Sequence, residues 1–220
     1  MSEFITITPP ATEPLLLADA KEHLRVDSTA DDNLITTLIR ACRFTLERQY
    51  DIALITQTLQ LNLDYFPYWW LWRGGSSNYI AWWLDQAYYT QLLLRPPVQS
   101  IVSVTYTDPS GNPQTLPSST YVLDTMNRPA RLVPALNKQW PATAIGTINV
   151  AAVQFIAGYG AADTNVPDDI KAAIKLLLGH FYENREQVIS GSYLKVVELP
   201  IGVDQLMRPY HGNGIGSMVA

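Results

Sequence analysis

Cysteine is almost missing from this chain. Cys42 is the only one in 220 residues, so no disulfide can form within the chain, and a reducing compartment is expected. Histidine is nearly as scarce: His23, His180 and His211 lie far apart in sequence, with no metal-ligand spacing between them. Charged residues make up only 16%, and the formal net charge is -5. No run of Lys or Arg supplies the basic patch that a nucleic-acid-binding surface needs. No stretch approaches the roughly 20 apolar residues of a membrane-spanning helix. The opening MSEFITITPP lacks the basic and apolar regions of a signal peptide, so the expectation is a soluble protein made in the cytoplasm.

Catalytic signatures are lacking too. There is no Gly-x-Ser-x-Gly motif and no paired-Cys motif. Gly158-Tyr-Gly160 leads into a Pro-started helix without a Lys-Ser/Thr, and Gly212-Asn-Gly-Ile-Gly216 is too short for a phosphate loop. Asp168 and Asp169 suit a helix start, and Glu183 and Glu186 a solvated helix end. His23 near a helix end reads as a cap, and His180 as a structural side chain. Cys42 falls within an apolar helical arc, where an inert buried thiol is expected. The reading is a non-enzyme with no cofactor and no metal.

What remains is a folding composition, 47% hydrophobic, on a chain long enough to bury a sizeable core. The clearest element is Val166 to Val188. Pro167 suits a first helical turn, and Asp168 and Asp169 sit at the positive end of the helix dipole. Ile170, Ala173, Ile174, Leu177, Leu178, Phe181 and Val188 form one apolar arc at helical spacing. A thinner second seam, Ala172, Leu176 and Gly179, is small enough to admit another helix or a neighbouring subunit. Residues 1–14, with Pro9, Pro10 and Pro14, read as an extended arm. Leu17 to Arg25 reads as a short helix. Thr29 and Asp32 resemble a capping box that starts a longer helix near Ala30. On it Leu34, Ile35, Leu38, Ala41, Cys42, Thr45 and Leu46 face inward, while Arg40, Arg43, Glu47 and Asp51 face away. Arg43 and Glu47 form an i,i+4 pair.

After Ile52 the period changes to two. Thr56 to Asp64 alternates, with Leu59, Leu61 and Leu63 on one face, as a half-buried strand does. Ile101 to Tyr106, ended by the turn Asp108 to Asn112, and the runs Tyr121 to Leu123, Ala130 to Val133 and Ile148 to Ala157 complete a set of strands. The predicted class is α+β: a small helical core with a large β-rich insertion and an extended C-terminal tail. Its parts are an N-terminal arm and helices (1–53), the insertion (54–160), a long core helix (161–190) and the tail (191–220). Five of the six tryptophans, Trp69, Trp70, Trp72, Trp82 and Trp83, fall in one segment, 67–90, around the turn-like Arg73 to Asn78. This reads as a hairpin that either caps its own domain or makes a protein contact. A carbohydrate-stacking platform and, less favoured for want of surrounding basic residues, a membrane wedge are the alternatives. In the last 30 residues, Val196, Val197 and Leu199 can add to a sheet, and Gly202 to Met207 can form a helical turn. Residues 211–220, with three glycines, read as a tail that orders on binding a partner.

An ordered series of short stretches carries a resemblance over almost the whole chain. The stretches are Leu17 to Asp27, Asp31 to Ile35, Gln57-Thr58, Arg95 to Tyr106, Tyr121 to Asp124, Pro129 to Leu132 and Trp140-Pro141. The series continues with Phe155 to Gly160, Val166-Pro167 through Glu186, and Leu199 to Leu206. In these the chain resembles the head-tail connector (adaptor, or head-completion) proteins of tailed bacteriophages, also found in prophages and gene-transfer-agent particles. The Trp-rich segment and the glycine-rich end depart from that pattern. The resemblance implies a virion protein of the head-tail neck, made in the host bacterial cytoplasm. It implies a ring, typically of twelve copies, beneath the portal protein. The ring would extend the channel for double-stranded DNA and dock the next neck, stopper or tail protein, with no membrane involved. An acidic balance suits a lumen that passes DNA without holding it. The implied portal-docking tail holds Leu194, Val196, Val197, Leu199, Pro200, Val203, Leu206, Met207 and Tyr210. The Trp hairpin would serve protein contact, and Ala172, Leu176 and Gly179 contact between subunits.

Overall fold

A computed structural model describes residues 4–67, 91–184 and 201–210. The chain divides into two compact units, one made of Met1–Pro9 with Gln57–Ala157, the other of Pro10–Thr56 with Gly158–Ala220. The class is α+β, as expected from the sequence, with antiparallel sheets in the first unit and helices in the second.

Among the described residues the β-unit holds eight strands: β1 (Phe4–Thr8), β2 (Gln57–Leu63), β3 (Leu92–Leu94), β4 (Val98–Thr107), β5 (Pro113–Thr115), β6 (Tyr121–Asp124), β7 (Ala130–Pro134) and β8 (Ala151–Ala157). Five form one sheet in the order β1-β2-β8-β4-β5, and three form another in the order β3-β7-β6. Strand alternation decides which face is buried. Leu59 pairs with Phe155 and Leu61 with Val153, and Val104 pairs with Val153 from the other side. All five side chains are buried. In the smaller sheet Leu92 faces Leu132 and Leu94 faces Ala130, again buried. Phe66 stacks on Trp140 with centroids 4.8 Å apart and meets Tyr106 edge-on at 6.1 Å.

The sequence reads residues 1–14 as an arm, but Phe4–Thr8 is a paired strand. Phe4 sets its ring edge-on to Phe155 at 5.8 Å, and the Arg95 guanidinium lies 5.0 Å from the same ring. The strands β3 and β5, three residues each, are likewise absent from the sequence reading.

The helical unit holds α1 (Leu17–Leu24), α2 (Asp32–Gln49), α3 (Asp168–Glu183) and α4 (Ile201–Met207). One apolar cluster joins them: Ala20 of α1, Ile35, Ile39, Cys42 and Leu46 of α2, Ile170, Ala173, Ile174, Leu177 and Leu178 of α3, and Val203 and Met207 of α4. The inner arc of α3 thus matches the sequence reading as far as Leu178, and Phe181 packs against its rim. Val188 lies outside the described residues. The helix itself is shorter than the predicted span, because Asn184 already leaves helical geometry and its amide and side chain both bond the His180 carbonyl.

Helix α2 starts at Asp32, two residues later than expected, with Asp31 as N-cap and no side-chain capping bond. Its inner face is also rotated from the expected arc. Leu34 and Leu38 are half-buried, whereas Ile39, Arg43 and Glu47 are buried. Arg43 and Glu47 do not face away, because each finds partners that replace water.

Candidate functional site

The chain passes between its two units three times, and in the helical unit the segments next to those passages are tied to one another. Glu13 stands just inside the first passage. Its carboxylate accepts from Arg43 Nε at 2.7 Å and Nη2 at 3.3 Å, and Arg40 approaches it at 3.5 Å. Arg43 Nη1 donates to Glu47 Oε2 at 2.9 Å, and Glu47 Oε1 accepts the Leu54 amide at 2.9 Å, beside the second passage. Leu54 in turn accepts the Tyr159 amide at 3.1 Å, Thr56 donates its amide to the Gly160 carbonyl at 2.9 Å, and Thr12 Oγ1 donates to the Ala161 carbonyl at 2.8 Å. Gly158, at φ +131, lets its backbone lie directly on that of Ile55 and Thr56; a methyl group there would overlap both. Burial works against the Arg43 charge, but the bonds and charges of Glu13 and Glu47 outweigh it and hold the guanidinium above its usual range.

The five-stranded sheet has an unusual second face. None of its strands carries an Asp, Glu, Lys or Arg. The face opposite the buried leucines presents Ile5, Thr58, Gln60, Asn62, Ala152, Gln154, Ile156, Ser103, Thr105 and Thr115, by the strand registers. Its carboxamides form a ladder, Gln154 Nε2 to Gln60 Oε1 at 2.8 Å and Gln60 Nε2 to Asn62 Oδ1 at 2.7 Å. At the sheet's margins, Ile5 and Ile7 of β1 are 46% and 47% exposed, and all three residues of β5 are exposed. Sequence reasoning missed this surface, although the gap in charge over these strands was there to be read.

A second exposed feature is the turn between β6 and β7. The Asp124 carboxylate accepts from the Met126 amide at 2.9 Å, from Asn127 Nδ2 at 2.7 Å and from Arg131. The Arg131 and Asn127 bonds, with the Met126 amide, hold its pKa down at about 2. The turn leaves Met126 almost fully in solvent, 96% exposed.

Of the residues singled out in the sequence, Trp69, Trp70, Trp72, Trp82 and Trp83 lie outside the described residues, as do Leu194, Val196, Val197, Leu199 and Pro200. Val203 and Met207 sit on the inner face of α4 and are wholly buried in the helical core, so neither offers surface to a partner. Leu206 and Tyr210 pack at the rim of that core. Tyr210 Oη donates to Asp169 at 3.3 Å, and Tyr50 Oη donates to Asp204 at 3.0 Å, tying α4 to the end of α2. In the α3 seam Ala172 and Gly179 are half-buried, and Leu176 is 43% exposed. The seam already has neighbours in its own chain: a methyl group on Gly179 would lie 3.8 Å from His23 Nε2, and one on Gly202 3.3 Å from Leu176 Cδ1.

Burial pushes the Cys42 thiol up to about 12, which leaves it protonated and inert at neutral pH. Among the described residues no three His, Cys, Asp or Glu side chains gather as metal ligands, and no helix is long and apolar enough to cross a membrane.

No family model and no curated protein matches the chain in sequence. Solved structures do match. A chain in the neck of an empty GTA particle, computed with C6 symmetry, is 21% identical with a TM-score of 0.69, over 97% of this chain and 97% of that one. A chain in the virion of a native gene transfer agent (GTA) particle is 22% identical with a TM-score of 0.68, over 96% of each chain. One in the neck of a native GTA particle, computed with C12 symmetry, is 22% identical with a TM-score of 0.64, over 98% of this chain and 97% of that one. End to end, then, this chain has the fold of a chain found in the neck of gene transfer agent particles.

Proposed function

We propose that the protein is a structural neck component of a phage-like particle, a head-tail adaptor that joins other copies of itself in a ring beneath the portal. The observation that carries this reading is the near-complete fold match to chains of GTA necks. The C6 and C12 symmetry of those necks supports a ring of copies, twelve in the fullest form. In this reading the ring extends the DNA channel and offers its far side to the next neck, stopper or tail protein. A net charge of -5 favours a lumen that lets phosphates pass without retaining them, within the ~10 Å over which salt leaves such fields intact.

Docking to the portal falls to the C-terminal region, Leu194, Val196, Val197, Leu199 and Pro200, with Leu206 and Tyr210 at its base. The buried Val203 and Met207 anchor the near end of that region in the helical core instead. The Trp-rich segment supplies a further protein contact in the same reading, and the Ala172, Leu176 and Gly179 seam a contact between subunits. The test is to mix the purified chain with purified portal rings and weigh the product by native mass spectrometry. Several copies of the chain per portal ring are expected, and a chain that never joins the portal overturns the reading. Truncation after Tyr210 keeps the core intact and asks whether residues 211–220 contribute; truncation after Tyr193 would remove Val203 and Met207 and open the core.

A further inference from the structure

We infer that neighbouring copies of this chain are joined through the two free edges of the five-stranded sheet, β1 of one copy beside β5 of the next. The inference rests on the ring reading above and names the surfaces that make the ring. In the order β1-β2-β8-β4-β5 each neighbouring pair is antiparallel, so β1, β8 and β5 run in the same direction. The two edges are different surfaces on opposite sides of one sheet. Pairing them is a head-to-tail contact, the kind that propagates by rotation and closes into a ring, and it would be parallel.

Both edges are open to such pairing. Among the described residues neither β1 nor β5 has a strand on its outer side, and Ile5, Thr6, Ile7 and Thr8 of β1 and all of β5 are exposed. Sheet edges that must stay single are usually guarded by charge, and here neither strand holds any. The guards present are partial: a register shift between Thr6 and Thr8, and Pro113, which removes one donor from β5. They limit the pairing to a few bonds, which suits a joint made only where many copies are held together. Five strands at ~4.8 Å spacing give each copy about 24 Å of width, so twelve upright copies close a ring roughly 90 Å across, with ample room for a DNA duplex inside.

The test uses the full chain bound to portal rings, since Cys42 is buried and silent. Ile5→Cys with Thr115→Cys places both thiols on the outer sheet face, and Thr6→Cys with Gln114→Cys places both on the other. After mild oxidation, at least one double variant is expected to give a ladder of covalent oligomers on a non-reducing gel, and the four single variants none. Covalent dimers from Ile5→Cys or Thr6→Cys alone would mean that β1 meets β1, and would overturn the head-to-tail joint. Multi-copy complexes on the portal with no ladder from either pair would also overturn it, while leaving the adaptor reading standing. No portal complex at all would sink both.

Discussion

Arg43 and Glu47 stand one turn apart on α2 and pair at 2.9 Å with side chains only 3% and 7% exposed. Spacing of this kind on a helix surface contributes a few tenths of a kcal/mol. Buried, it is a different object. The desolvation of both charges is offset by Glu13 on one side and the Leu54 amide on the other, and the pair becomes the point where two distant segments of chain meet.

Removing one partner should therefore be costly. Arg43→Ala leaves the Glu47 carboxylate buried without its cation and is expected to destabilise the helical unit by about 3–5 kcal/mol. Glu13→Ala, at a side chain 22% exposed, should cost nearer ~1 kcal/mol. Arg43→Met with Glu47→Gln removes both charges yet keeps an acceptor for Leu54, and should recover much of the loss. Urea titrations of the three variants give the ranking, and equal losses for Arg43→Ala and the double variant would show that the charge is not what matters.

Gly158 offers a test of backbone packing. Alanine there meets both a φ of +131 and the backbone of Ile55 and Thr56, whereas alanine at Gly111, φ +86, meets nothing within 4 Å. Gly111→Ala should cost on the order of 1 kcal/mol from strain alone, and Gly158→Ala clearly more. Thermal melts of the two variants side by side decide it.

Leu176 and Leu177 are adjacent on α3 and should behave differently. Leu177 is fully buried, so Leu177→Ala should lose about 2–5 kcal/mol. Leu176 is 43% exposed, and its truncation should shift chemical denaturation by less than about 1 kcal/mol. If Leu176→Ala also leaves portal-bound assembly unchanged, the seam is not a subunit contact.

Asp124 predicts an acid response in the β-unit. Its folded pKa, about 2, lies below the roughly 3.9 of an unfolded aspartate. Ionised Asp124 therefore contributes stability above about pH 4, and that contribution fades as pH falls through about 2. Asp124→Asn should melt below the unmodified protein at pH 6 and converge with it as the pH approaches 2. Parallel curves at all pH values would remove the carboxylate from the account.

The sequence made the strong periodicities legible. Leu59 and Leu61 announced a half-buried strand, and Ile170 to Leu178 an inner helical face, because burial repeats there at the period of the backbone. Short elements were not legible: β3 and β5, three residues each, exist through their partners rather than through any pattern of their own. The orientation of Arg43 and Glu47 was hidden for a related reason. An i,i+4 ion pair reads as a solvated helix face unless one knows that Glu13, 30 residues away, comes to meet it. The neutral sheet face was legible in principle, since it is a local absence of charge, but its two open margins emerge only from strand order.

The triple passage of the chain has a mechanical side. Three peptide connections join the β-unit to the helical unit, and beside them the helical unit binds its own segments together around Glu13, Arg43, Leu54 and Gly158. A protease that nicks any one of them still leaves the units joined covalently by the other two. Such redundancy means that one broken link does not part the two units.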